Sequence, residues 1–184
     1  MDKEKVDYST YLKWKEQKEG CFEYIDGEIV ELPCFSTLHQ RVAGKLLVLL
    51  SNCLEDTEFE ALAAPYHIEL TGSDLKGKYL VIPDISVISH KQGFEEDRYL
   101  GAPDLIVEVM SYGYHMHDML VKMNLYRNAG VKEYWIIDPN LKALIIYTLN
   151  NVGSFQQLNV LRETGVASSL VCPSIHIDIT EVFD

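Results

Sequence analysis

Two stretches, Leu80-Val-Ile-Pro-Asp-Ile-Ser-Val-Ile88 and Pro103-Asp-Leu-Ile-Val-Glu-Val-Met110, decide how this chain is read. Each is an apolar run rich in β-branched residues, the pattern of a buried strand. Each also carries an acid inside the run, Asp84 and Glu108. A carboxylate buried in a strand is costly unless it is paired, hydrogen-bonded or bound to a cation. Side chains alternate along a strand, so Asp104 and Glu108 share a face but lie roughly 13 Å apart at ~3.3 Å per residue. They cannot share one ion. Directly opposed residues on neighbouring strands come within roughly 5 Å, which makes Asp84 the expected partner of Glu108 and puts Asp104 at the strand's rim.

Downstream, Met116–Ala129 reads as a helix closed by Gly130. At about 100° per residue, Lys122 falls on the face formed by Val121, Leu125, Tyr126 and Ala129, the side turned to the core. Lys132–Asp138, Ala143–Leu149 and Ser154–Leu161 read as strands, and Pro173–Asp184 as a closing helix or strand. Upstream, Thr10–Lys18 reads as a helix capped by Ser9, with Gly20 just beyond it. A hairpin follows, with Cys21–Ile25 and Glu28–Leu32 flanking Asp26-Gly27, a type I′ turn signal. Thr37-Leu-His-Gln40 reads as a capping box opening a helix to about Leu54, whose core stripe is Val42, Leu46, Leu49, Leu50 and Cys53. A strand is expected over Ala63–Thr71, then a turn over Gly72–Gly77, and a polar connection over Ser89–Gly101. With no repeat or low-complexity linker, residues 1–184 are expected to form one mixed α/β (α+β) domain.

Composition narrows the function classes. The 28 acidic residues outnumber the 16 basic ones, for a net charge of −12. No basic face of the kind that grips nucleic-acid phosphates is evident, so any such contact must come from a local patch, a bound cation or a partner. The N-terminus is charged and lacks the apolar core of a signal peptide. No apolar run approaches the ~18 residues of a membrane span. Cys21, Cys34, Cys53 and Cys172 form no C-x-x-C pair. A reduced, cytoplasmic protein is the expectation.

Two carboxylates this close repel unless a proton or cation stands between them. Mg²⁺ or Mn²⁺, held by one or two carboxylates with water and phosphate oxygens completing the shell, suits Asp84 and Glu108. Such an ion lowers the pKa of bound water and neutralises charge on a scissile phosphate. Lys122 would then stabilise the attacking water or the pentavalent phosphate. The alternative is structural: acids satisfied by backbone amides or a lysine, and a Lys122 stem lying along apolar surface toward a salt bridge. His115-Met-His117-Asp118 offers a rival zinc pair without a third ligand motif nearby, and Asp118 also suits a helix N-terminus.

Together, Gly101-Ala-Pro-Asp-Leu-Ile-Val-Glu-Val-Met-Ser111, Asp118, Lys122, Tyr126 and Ala129-Gly-Val-Lys-Glu-Tyr-Trp-Ile-Ile-Asp-Pro139 resemble the Uma family of putative restriction endonucleases. Tyr24-Ile-Asp-Gly-Glu28, His39-Gln40 and Pro83-Asp84 fit the same pattern, so the resemblance spans nearly the whole chain. It implies the PD-(D/E)XK superfamily: a restriction-endonuclease-like core with a central mixed sheet flanked by helices, here with an N-terminal helix and hairpin. It makes Asp84 the PD aspartate and Glu108 the acid of the (D/E)xK element. Met110 stands where that element's lysine belongs, and the resemblance implies that Lys122 replaces it from the next helix. For the first acidic motif, Glu23 and Glu28 are both candidates, and Glu28 and His39 are carried as supporting residues. The expectation is a Mg²⁺- or Mn²⁺-dependent endonuclease acting on DNA, with a homodimer as a further arrangement. The alternative is a non-catalytic module of the same fold that binds nucleic acid or a protein.

Overall fold

The run Leu80–Ile88 is not one strand but two, and it crosses between sheets at Ile82-Pro83-Asp84. The computed structural model describes residues 5–33, 35–111 and 116–184, with backbone alone for 116–118. Its elements in chain order are α1 (Tyr8–Lys15), β1 (Phe22–Ile25), β2 (Glu28–Glu31), α2 (Thr37–Cys53), β3 (Glu60–Ala63), β4 (His67–Glu69), β5 (Tyr79–Val81), β6 (Ile85–Ile88), β7 (Arg98–Leu100), β8 (Leu105–Val109), α3 (Met116–Ala129), β9 (Glu133–Asp138), β10 (Ala143–Leu149), β11 (Phe155–Arg162), β12 (Val166–Ser168), β13 (His176–Asp178) and α4 (Ile179–Phe183).

The main sheet has six strands in the order β11-β10-β9-β8-β6-β3, and a second has five in the order β2-β1-β5-β4-β7. The main sheet is mixed: β8 runs parallel to β9 and antiparallel to β6. Alternation along β8 and β9 gives this sheet two apolar faces. On one, Val107, Trp135 and Ile137 pack against Val42, Leu46 and Leu50 of α2. On the other, Ile106 and Ile136 pack against Leu125 and Tyr126 of α3 and against Ile68 and Val81 of the second sheet. A separate cluster of Tyr11, Phe22, Tyr24 and Leu80 seats α1 on the hairpin.

Several boundaries follow the sequence closely: α3 and β10 match their expected spans, and Asp26-Gly27 makes the hairpin turn with both φ angles positive, 47° and 94°. Others shift. Asp7 rather than Ser9 caps α1, accepting from the Thr10 amide, and Ser36 rather than Thr37 caps α2, accepting from the His39 amide. The stretch expected as one strand over Ala63–Thr71 breaks at Ala64-Pro65 into β3 and β4, which join different sheets. Proline has no N–H for a ladder. Within the polar connection Ser89–Gly101, β7 forms by parallel pairing with β4.

Candidate active site

The β6–β8 register pairs Ile85 with Val107 and Ser86 with Ile106. Extended by one residue, it sets Asp84 opposite Glu108, on the face covered by α3. Proline at 83 ends the β5 pairing, so Asp84 emerges where the chain passes from the second sheet to the main one. Its Oδ2 accepts hydrogen bonds from the Val109 amide at 2.8 Å and lies 3.2 Å from His39 Nε2. His39 reaches it from the first turn of α2, where the Ser36 cap fixes the helix start.

Glu108 takes its donors from α3. Lys122 Nζ donates to Oε1 at 2.9 Å and the Tyr126 hydroxyl donates to the same oxygen at 2.5 Å. Lys122 and Tyr126 are four residues apart, one helical turn, and so meet one acceptor. Lys122 Nζ also lies 2.9 Å from Glu23 Oε1, and that oxygen accepts from the Ile82 amide at 3.0 Å. Both described hydrogen bonds to Asp84 fall on Oδ2, and both to Glu108 fall on Oε1. Asp84, Glu108 and Lys122 line one recess, walled by Leu32, Pro33, Phe35 and Val109.

Burial pushes the Glu108 carboxyl up to about 7. Lys122 opposes that shift, and the nearby carboxylates of Asp84 and Glu23 add to it. Asp84, Glu108 and Lys122 are each 6% exposed, and Glu23 is 1% exposed. Three carboxylates thus face one ammonium in a nearly closed space, an arrangement that a divalent cation would relieve. Among the described residues, no group of three or more His, Cys, Asp or Glu side chains is placed to hold a metal. Asp84 and Glu108 are the two carboxylates that could hold a hard cation keeping most of its shell as water or substrate oxygen.

Of the sequence candidates, the structure brings Asp84, Glu108, Lys122 and His39 together. Glu28 is not among them: it is exposed beside the hairpin turn, paired across the ladder with Ile25. Glu23 meets Lys122 instead. One residue further along β1, the Tyr24 side chain turns to the α1 cluster, so Glu23 points the opposite way, toward α3. Asp104 stays apart from this group. Burial disfavours its charge, but Lys132 and the Ser89 hydroxyl and amide outweigh that and hold its pKa below the usual carboxylate value. Met110, at the position of the missing lysine, packs with the apolar cluster beneath α3. His115 and the side chains of His117 and Asp118, the rival zinc group, lie outside the described residues.

Asp84, just before β6, Glu108 on β8 and Lys122 on α3 thus meet at one recess beside a mixed sheet. Residues 8–180 match the Uma2 family, described as "putative restriction endonuclease", and the chain belongs to that family. It is 25% identical over 156 residues, 84% of this chain and 80% of the relative, to the uncharacterized protein slr1290 of Synechocystis. It is 29% identical to sll1609 of the same organism over 133 residues, 71% of this chain and 73% of that one. The fold is shared with the crystal structure of a putative nuclease belonging to DUF820 from Anabaena variabilis, at TM-score 0.78, 18% identity and 97% coverage of both chains. No described helix is long and apolar enough to cross a membrane.

Proposed function

We propose that this chain is a divalent-metal-dependent endonuclease hydrolysing DNA phosphodiester bonds, with Asp84 and Glu108 holding Mg²⁺ or Mn²⁺ and Lys122 acting on the scissile phosphate. The observation that carries the reading is the approach of the Lys122 ammonium to Glu108, 2.9 Å away, from a different element. That contact supplies the cation missing at Met110. A bound Mg²⁺ or Mn²⁺ would supply Lewis acidity, acidifying a coordinated water and neutralising charge on the phosphate.

The chain's own groups do the rest. The Val109 amide and His39 fix the Asp84 carboxylate, and Tyr126 fixes the rotamer of Glu108, so both acids are oriented before substrate arrives. Glu23 holds Lys122 Nζ beside Glu108. From there the ammonium can donate to a non-bridging phosphate oxygen or orient the attacking water, and its charge counts most where water is scarce. With a pKa of about 7, Glu108 can hold a proton where no cation is bound and would give it up to a cation.

The test is a cleavage assay on single- and double-stranded DNA with and without Mg²⁺ or Mn²⁺, run beside Asp84→Ala and Lys122→Ala. Metal-dependent cleavage that both substitutions abolish supports the reading. Cleavage that survives both overturns it. Binding without cleavage by the wild type would favour a non-catalytic module.

A further inference from the structure

The recess has a second character besides its acids. Leu32, Pro33 and Phe35, between the hairpin and α2, form an apolar wall across from Asp84, Glu108 and Lys122. The Phe35 ring lies nearly parallel to the His39 imidazole, with centroids 4.3 Å apart and planes 16° apart, so the residue that touches Asp84 also supports the ring. Pro33 is exposed, and Leu32 and Phe35 are half-buried. Apolar groups thus stand open to solvent at the mouth of a charged recess.

Resting on the nuclease reading, we infer that an unpaired nucleotide of a DNA strand binds at the mouth of the recess. Its phosphate would meet Lys122 and a cation held by Asp84 and Glu108, and its base goes against Phe35, Leu32 and Pro33. Three observations converge. The acids and the lysine are each only 6% exposed, so a phosphodiester must enter the recess to touch them. A flexible single strand can do so, whereas the phosphates of a stiff duplex stay on its outer edge. The recess proper is small, about 30 Å³, room for a phosphate oxygen and not for a base, which leaves the base at the mouth against the apolar wall. Charge points the same way. Lys122 is flanked by two carboxylates, and the chain carries a net −12, so backbone phosphates find little to grip. Stacking and apolar contact with a base need no counter-charge, and an aromatic platform serves any base.

The test measures binding of a 5′-fluorescein 12-mer, as a single strand and as a blunt duplex of the same sequence, by anisotropy with Ca²⁺ present across a NaCl series. The single strand is expected to bind at least tenfold more tightly. Phe35→Ala should weaken it about tenfold and Phe35→Trp should restore it, in line with the ~1–3 kcal/mol per stacked base. The salt slope should correspond to only two or three phosphate contacts, at about −0.7 each for a single strand. Duplex binding equal to or tighter than single-strand binding would overturn the inference, as would single-strand binding indifferent to Phe35→Ala in a protein of unchanged circular dichroism. The nuclease reading fails separately, if Asp84→Ala leaves metal-dependent cleavage intact.

Discussion

Glu108 and Glu133 sit on adjacent strands of the same sheet but on opposite faces. Glu108 pairs across the ladder with Ile136, three residues along β9 from Glu133. Burial raises the pKa of both carboxyls. Their surroundings differ. Glu133 is fully buried, and both its oxygens are used: Oε1 accepts from the Trp135 indole, and Oε2 accepts from the Ser169 hydroxyl and the Leu170 and Val171 amides. It ties the 169–171 segment to the sheet. Glu108 shares its environment with two other carboxylates, and its described donors crowd onto one oxygen at the edge of a recess. A buried acid alone therefore does not mark a reactive site. An acid held beside other carboxylates and open to a cavity is the candidate.

The sharpest way to break this comparison is to remove a group from each face. Asp84→Ala or Lys122→Ala is expected to lower the cleavage rate per folded molecule by about a hundredfold or more, the scale of losing one transition-state-stabilising group; Lys122→Ala also costs stability, because it leaves Glu23 and Glu108 buried without their ammonium. Single-turnover cleavage and urea unfolding measure the two effects. Glu133→Ala should behave the other way. It leaves three donors without their acceptor, the buried Trp135 indole and Ser169 hydroxyl and the part-buried Leu170 amide, and is expected to cost about 3 kcal/mol, read from urea midpoints, while the cleavage rate per folded molecule holds. If Glu133→Ala instead abolishes cleavage at full stability, the contrast between the faces is wrong.

A pH experiment probes the same contrast more gently. The folded-state pKa of Glu108 lies above its ordinary value of 4.5, at about 7. The folded protein then binds a proton more tightly than the unfolded chain. That contribution to stability is complete below about 4.5 and is lost as pH rises through about 7. Thermal melts of metal-free protein should show this decline, and Glu108→Gln should flatten it. Glu133 adds a decline of the same sign, so the flattening is partial.

Lys132→Ala should have the smallest effect. Lys132 is 55% exposed on the side chain, and Asp104 keeps both Ser89 donors, so the loss should stay under about 1 kcal/mol. The Asp104 pKa is lowered in the fold, so its stabilisation exists above the unfolded value and disappears as pH falls through the folded one. Losing Lys132 should move that acid limb upward, which carboxyl NMR titration would follow.

Much of this contrast was readable from the chain, and the limits have physical causes. The pairing of Asp84 with Glu108 and the inward face of Lys122 follow from strand alternation and helical periodicity, which are local. The sheet switch at Pro83 did not follow, because apolar residues continue on both sides of it and only the partner strands differ. β7 was missed because Arg98-Tyr-Leu100 becomes a strand only by pairing with distant β4. Glu23 and Glu28 have equal claims in the hairpin sequence. The packing of α1 on Tyr24, which turns Glu23 inward, is a tertiary event. His39 was within reach, since a capped helix start places it, but its contact with Asp84 needed the three-dimensional arrangement.

Calorimetric titration of Mn²⁺ at neutral pH into wild type, Glu108→Gln and Asp104→Asn tests the central claim most directly. One site per chain is expected in the wild type, accompanied by proton release that varies with buffer ionisation enthalpy. That site should be lost in Glu108→Gln and kept in Asp104→Asn. Equal Mn²⁺ heats in wild type and Glu108→Gln, or no binding in the wild type, would contradict it.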